Sequence, residues 1–333
     1  MDAHDGQLRL ATTVREFSTP ESTNAMFVLQ PDGDRLEIVG QQTGLAHGEQ
    51  IYSVRFAGDR AYVVTFRTID PFFVFDLSDP TDPVALGELK ITGFSNYLHV
   101  VDENHVLGVG RETDESGAAR EMQLSLFNVS DPAQPTIVDR YNFDDTASSP
   151  LLASTRWLGN HHAVAYFAAS QSFVMPVYTV QRQPGDFRFV PWHSRFDVEM
   201  QVFDIDPASG ITLRGQMEYA RPFDPAAARA VRVDETLYAV SPYEVIAAPL
   251  VAPSDTDSRL SIADVTRDDL VETRGGRRVR IDPLGNDIAF PFGRLHVANI
   301  VQPDVGGVVE IDDQGEVHFV ADRDFFGTVH FQY

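Results

Sequence analysis

The chain has 333 residues and a mass of 37.0 kDa, long for one average domain and enough to bury most of its apolar surface. Cysteine is absent, which excludes a disulfide framework, a thiolate nucleophile and Cys-ligated zinc. With 26 Lys and Arg against 49 Asp and Glu, the net charge of −23 repels phosphate backbones and anionic lipid. Nucleic acid and membrane-surface partners are therefore not expected, whereas divalent cations are suited.

The opening residues, MDAHDGQLRLATT, carry neither the basic n-region nor the apolar h-region of a signal peptide. No apolar run reaches the length of about 18 residues that a membrane-spanning helix needs. The 23 Gly, 20 Pro and 23 Phe point to many turns and much β structure.

The clearest unit lies between Ile51 and Ile91. Ile51 to Phe56 alternates, which places Tyr52, Val54 and Phe56 on one face. Gly58-Asp59 predicts a tight turn. AYVVTF at 61–66 and FFVFDL at 72–77 follow as second and third strands. SDPTDP then forces a turn, because each Pro fixes φ and each Asp caps local backbone. Val84 to Ile91 is a fourth strand, completing a meander.

The unit recurs along the chain. Phe75-Asp76-Leu77-Ser78-Asp79-Pro80 returns as Phe127-Asn128-Val129-Ser130-Asp131-Pro132, and again as Phe203-Asp204-Ile205-Asp206-Pro207. A strand precedes each copy: AYVVTF at 61, HVLGVG at 105 and HAVAYFA at 162. A fainter fourth copy is LYAVS at 237. Behind the turns come VALGELKI, TIVDRY and ITLRGQM. The interval from Asp76 to Asn128 is 52 residues and that from Asn128 to Asp204 is 76. The longer interval predicts an insertion over 171–196, rich in Pro and exposed around Gln183-Pro184-Gly185-Asp186.

Four-stranded repeats of about 40–50 residues predict a β-propeller. A β-sandwich with accidental similarity is the competing reading. From 247 to 259 the text AAPLVAPSDTDSR lacks periodicity and reads as a linker. Beyond it, short strands near 279–281, 295–301, 307–311, 316–320 and 328–333 predict a small β-sandwich. The expected fold is therefore all-β. A partial propeller covers 1–250, a linker 251–260, and an immunoglobulin-like sandwich 261–333.

HDGQLRLATT (4–13), GEQIYSVRFAGDRAYVVTF (48–66), DPFFVFDLSDPTDPVALGELKITGFSNYLH (70–99) and DENHVLGVGRE (102–112) resemble a family of bacterial secreted β-propeller proteins, distantly related to WD-type propellers. In that family similar HDG-LR-ATT text lies inside the propeller. The resemblance implies a start at an internal Met, a propeller lacking its first blades and left unclosed, and an extracellular or cell-surface setting. It brings no catalytic residues. Asp268-Asp269, Val279 to Asp287, Val308 to Val317 and Asp324-Phe325-Phe326-Gly327-Thr328 resemble a cadherin-like or immunoglobulin-like bacterial tandem repeat.

For chemistry, the sequence has no HExxH, GxSxG, P-loop or GxGxxG. His161-His162 reads as a turn residue plus a strand residue, since neighbours on a strand point to opposite faces. His99 and His105 flank VVDEN, read as a turn, and are taken as ordinary strand residues or as a pair across the hairpin. Trp157, Trp192 and Tyr178 are candidates for stacking on a glycan or a partner, the last two in the expected insertion. Packing within their own blade is the plainer reading. Asp269, Asn286 and Asp287 are hard oxygen donors of the kind calcium takes, set against solvated turns.

The leading expectation is a non-catalytic binding, adhesion or scaffold module of an exported protein, using a propeller face for protein or glycan. The alternative is a polysaccharide hydrolase or lyase with its site in the propeller cleft. A third reading is a plain spacer.

Overall fold

The computed structural model describes residues 1–15, 22–66, 70–114, 116–144, 147–149, 160–181, 195–220, 223–262, 268–285, 287, 296–297, 299–312 and 315–333. The chain divides into two compact units. One comprises Met1–Ser241 with Ile246–Arg259, and the other Pro242–Val245 with Leu260–Tyr333.

The larger unit is a series of antiparallel sheets. The first contains β1 (Asp2–His4), β2 (Gln7–Arg15), β3 (Ser22–Asp32) and β4 (Arg35–Leu45) in chain order. The second contains β5 (Gln50–Ala57), β6 (Arg60–Phe66), β7 (Asp70–Asp76) and β8 (Val84–Ile91), and the third β9 (Phe94–Asp102), β10 (His105–Thr113), β11 (Ala119–Asn128) and β12 (Thr136–Asn142). In the fourth, β13 (Ala147–Ser148) and β14 (Ala165–Phe167) both pair with β15 (Ser172–Gln181), followed by β16 (Arg195–Asp206) and β17 (Gly210–Glu218). The fifth contains β18 (Arg229–Val233), β19 (Thr236–Val240), β20 (Glu244–Pro249, of which 246–249 belong to this unit) and β21 (Ser258–Ser261, of which 258–259 belong to this unit).

Strand periodicity explains why the middle strands are apolar at nearly every position. Side chains alternate between faces, and here both faces are buried. Ala61, Val63, Phe73 and Phe75 pack with Met26 of the first sheet. Their neighbours Tyr62, Val64, Phe72 and Val74 pack with Leu98, Val106 and Phe127 of the third. Leu107, Val109, Met122, Leu124 and Leu126 face Phe173, Met175, Val177 and Phe203 of the fourth. Phe72 and Phe127 stack with centroids 4.4 Å apart and planes 10° from parallel. Each such ring stabilises the fold by about 1.5–3 kcal/mol through removal from water.

A second device joins consecutive sheets. Every fourth strand from the first to the fourth sheet has a bulge at one place. Val28 pairs with Gly40 but Leu29 with Ile38, Val74 with Gly87 but Phe75 with Ala85, Leu126 with Asp139 but Phe127 with Ile137, and Val202 with Gly215 but Phe203 with Leu213. The residue after the extra one meets the turn between third and fourth strands of the next sheet. A Cβ on Gly40 would lie 2.9 Å from Pro83 Cδ, with Pro80 O closer still. On Gly87 it would lie 2.5 Å from both Pro132 O and Ala133 O, and on Gly215 2.7 Å from Ser254 Oγ. At the remaining junction the glycine changes sides. Gly210, at φ +99°, lies against Asp139, whose Oδ2 accepts a 2.8 Å hydrogen bond from the Ile211 N–H.

Several expectations change. Tyr52 does not share a face with Val54 and Phe56. Ile51 pairs with Thr65 and Ser53 with Val64, so Tyr52 is the bulged residue and is exposed. Ile51 packs towards Met26 in its place. Residues 171–181 are not part of an insertion: β15 is the second strand of its sheet, with Phe173, Val174 and Met175 fully buried. Residues 182–194, with the Gln183-Pro184-Gly185-Asp186 turn, lie outside the described residues. HAVAYFA is not the strand before the Phe203 turn. It forms a 3-10 turn at His161–Ala163 and the short β14. VVDEN is strand up to Asp102, which leaves a turn at Glu103-Asn104. Residues 251–260 carry turns and, from Ser258, the start of β21.

The smaller unit has a three-stranded sheet of β22 (Arg278–Ile281), β23 (Gly307–Ile311) and β24 (Val317–Ala321), with β24 central. Its core is Ile281, Val309, Val317 and Phe319.

Two outcomes follow for stability. Gly87→Ala places a methyl group against two carbonyl oxygens and should lower unfolding free energy by about 1–3 kcal/mol in urea titrations. A midpoint equal to that of the parent chain would remove the glycine contact from this account. Phe127→Ala should cost about 3–5 kcal/mol by the same measurement, since it opens a cavity against Phe72 and Val106.

Candidate functional site

Titratable and aromatic side chains converge along the first strands of three consecutive sheets. β9 reads FSNYLHVVD, and its alternation puts Tyr97, His99 and Val101 on one face. Tyr97 and Val101 pack on the core shared with the fourth sheet. The Tyr97 hydroxyl and His99 Nδ1 share a hydrogen bond at 3.2 Å. Tyr166 of β14 lies 4.8 Å from the His99 ring, centroid to centroid, and Phe173 lies 6.0 Å from it. Tyr166 is placed by pairing with Phe173, Ala165 by pairing with Val174.

The electrostatics follow from burial. Desolvation lowers the His99 pKa to about 4, and the positive charge of Arg55 on β5 adds to the effect. His99 is therefore neutral at pH 7. Burial pushes the Tyr97 hydroxyl up, opposed by Arg55. Burial also raises Tyr166, helped by the negative charge of Asp102. Asp102 itself pairs with His105 Nδ1 at 2.9 Å. The two histidines thus have separate partners: His99 pairs in register with Leu107, not with His105.

The arrangement offers ring faces, hydroxyl groups, a neutral imidazole and an exposed guanidinium, which together suit stacking and hydrogen bonding. Among the described residues, the carboxylates displaced from their ordinary range are Asp76, Asp79, Asp114 and Asp206, all downward. The chief causes are hydrogen bonds from Ser78, Thr81, Ser116 and Ser209 within their own turns.

Of the stacking residues expected from sequence, Tyr178 is a buried residue of β15 paired with Val198, rather than a loop aromatic. Trp157 and Trp192 lie outside the described residues. His161 and His162 are both exposed, with ring centroids 4.0 Å apart. Asp269 and Asp287 are brought towards one group. The Tyr333 hydroxyl donates to Asp269 Oδ2 at 2.6 Å, and its pKa is raised by burial, that bond and the charges of Asp269, Asp287 and Asp268. Asn286 lies outside the described residues.

Sequence reasoning missed two features. Tyr166 approaches His99 only through tertiary packing, and no local pattern marks it. Asp312, Glu316 and His318 place ligand atoms within 4.8 Å of one another. The signal was the i, i+2 spacing of Glu316 and His318 at the turn that leads into a strand.

A family model described as a β-propeller domain matches residues 1–251. An uncharacterized protein of Methanocaldococcus jannaschii is 39% identical over 179 residues, 54% of this chain and 26% of that protein. One of Archaeoglobus fulgidus is 43% identical over 176 residues, 53% of this chain and 25% of that protein. The chain thus spans about a quarter of the length of these relatives. Both are archaeal, and neither bears on the bacterial or secreted part of the expectation. Among solved structures, a europium-containing methanol dehydrogenase matches at 10% identity and a TM-score of 0.44, over 74% of this chain and 50% of its own. The β-propeller domain of the trilobed protease from Pyrococcus furiosus matches at 8% identity and 0.32, over 79% and 82%. At these scores nothing of their activities transfers. With consecutive sheets of four or five strands joined by a recurring glycine contact, and a family match that spans them, the chain belongs to the β-propeller domain family.

Proposed function

We propose that the propeller part is a non-catalytic binding, adhesion or scaffold module that holds a protein or glycan. The observation that supports this is the strip formed by Arg55, Tyr97, His99 and Tyr166, which is aromatic and cationic. A glycoside hydrolase needs one carboxyl group kept protonated near neutrality. Among the described residues, the carboxylates displaced from their ordinary range are lowered instead. An exported or surface setting belongs to this reading on resemblance alone. The smaller unit is read as an immunoglobulin-like or cadherin-like sandwich. Weak calcium binding at Asp269, Asn286 and Asp287 goes with it, in the range of about 10⁻⁴–10⁻³ M.

Titration of the full chain with a panel of neutral and acidic polysaccharides tests the main reading. Tyr166→Ala should weaken the best ligand about tenfold or more, roughly 1.4 kcal/mol. Reducing ends or unsaturated products released from the same panel would favour the hydrolase or lyase instead.

The imidazole predicts a pH dependence. The unfolded His99 gains a proton near its ordinary value of 6.5, whereas the folded one does so only at about 4. Between those values the unfolded state binds more protons, so stability falls as pH falls and levels off below about 4. Urea unfolding at several pH values should show a smaller slope across this window in His99→Gln than in the parent.

A further inference from the structure

The β23–β24 hairpin holds two carboxylates and an imidazole in an arrangement that a plain ion pair does not require. Ile311 pairs with Val317 and Glu310 with His318, so Asp312 and Glu316 close the turn. The backbone enforces this: the Asp312 N–H bonds Glu316 O at 3.0 Å, and the Gly315 N–H bonds Asp312 O at 2.9 Å. Each carboxylate then uses one oxygen structurally and turns the other towards the ring. Asp312 Oδ1 accepts the Glu316 N–H at 2.9 Å, while Oδ2 lies 3.0 Å from His318 Nε2. Glu316 Oε1 is held by Arg280 at 3.1 Å, while Oε2 lies 3.7 Å from the same Nε2.

We propose that Asp312, Glu316 and His318 bind one zinc-class divalent cation. Bonds of about 2.0–2.1 Å in a tetrahedron separate ligand atoms by roughly 3.3 Å. The observed 3.0 and 3.7 Å bracket that spacing. One nitrogen with two carboxylate oxygens suits zinc and its first-row neighbours better than the all-oxygen sets of calcium or magnesium. The anchoring of Oδ1 by backbone and of Oε1 by Arg280 is the outer support that metal sites use to orient their ligands. Two carboxylates beside one guanidinium leave a net negative site for the cation. His318 binds through Nε2, which requires the tautomer with hydrogen on Nδ1. The side chains are 28, 35 and 13% exposed for Asp312, Glu316 and His318, so water can complete the coordination. The site shares no residue with the Asp269–Asp287 pair.

Calorimetric titration of the full, metal-free chain with zinc chloride tests the proposal, with His318→Gln, Glu316→Gln and a His161→Gln/His162→Gln double variant alongside. Saturable binding of one zinc per chain is expected. It should weaken at least tenfold in each of the first two variants and persist in the third, where exposed imidazoles are removed far from the site in sequence. The parent melting temperature should rise with zinc, and circular dichroism without zinc establishes that the variants fold. If His318→Gln fails to fold, Glu316→Gln decides alone. Absence of saturable binding in the parent, or binding untouched by the folded site variants, overturns the proposal. Calcium added in place of zinc separates this site from the Asp269–Asp287 reading.

Discussion

The larger unit depends on one steric constraint. Where a fourth strand bulges, the backbone of the next sheet's turn comes so close that a side chain cannot fit between them. Gly40, Gly87 and Gly215 satisfy this by having no Cβ. Asp139 satisfies it differently, by accepting a hydrogen bond from the turn while Gly210 supplies the space. The close approach brings the third strands within reach of one another, so Phe72 can stack on Phe127 and Phe203 can join Leu124 and Leu126. Packing density in such interiors leaves little room for adjustment. The turn position and the apolar alternation are therefore parts of one requirement.

This coupling made much of the fold legible. The Phe-Asp-Leu-Ser-Asp-Pro text marks the end of a third strand and the turn that rests on the preceding sheet, and both fix their residues tightly. VALGELKI and ITLRGQM already contain the glycines, although alternation alone gives no reason for them. Legibility failed where long-range pairing overrode a local signal. Pro176 argued against a central strand. In β15 it falls between the segment paired with β14, which ends at Val174, and the segment paired with β13, which begins at Tyr178. Its missing N–H is thus not needed on that side, and on the other side it pairs with Met200. Tyr52 was misplaced because a bulge shifts the face of every residue before it.

The candidate site was less legible than the fold. His99 was recognisable only as a strand residue beside a turn. Its chemistry comes from Tyr166 and Arg55, contributed by the sheets on either side. The strong acidity of the chain says little about the site. Asp76, Asp79, Asp114 and Asp206 serve their own turns, capping backbone N–H groups two to four residues ahead. Their charge is thus tied to chain reversal.

The contact between sheets has a direction. The bulged strand always belongs to the earlier sheet, and at each junction the turn belongs to the later one. In the language of assemblies this is a heterologous, head-to-tail interface rather than a two-fold one. Such a junction specifies what comes next but not how many units there are. Gene duplication could therefore lengthen the series by copying one strand–turn cassette, with each new sheet arriving equipped for both of its neighbours. The sheet count is then a property of the gene and of closure, and the junction itself is indifferent to it.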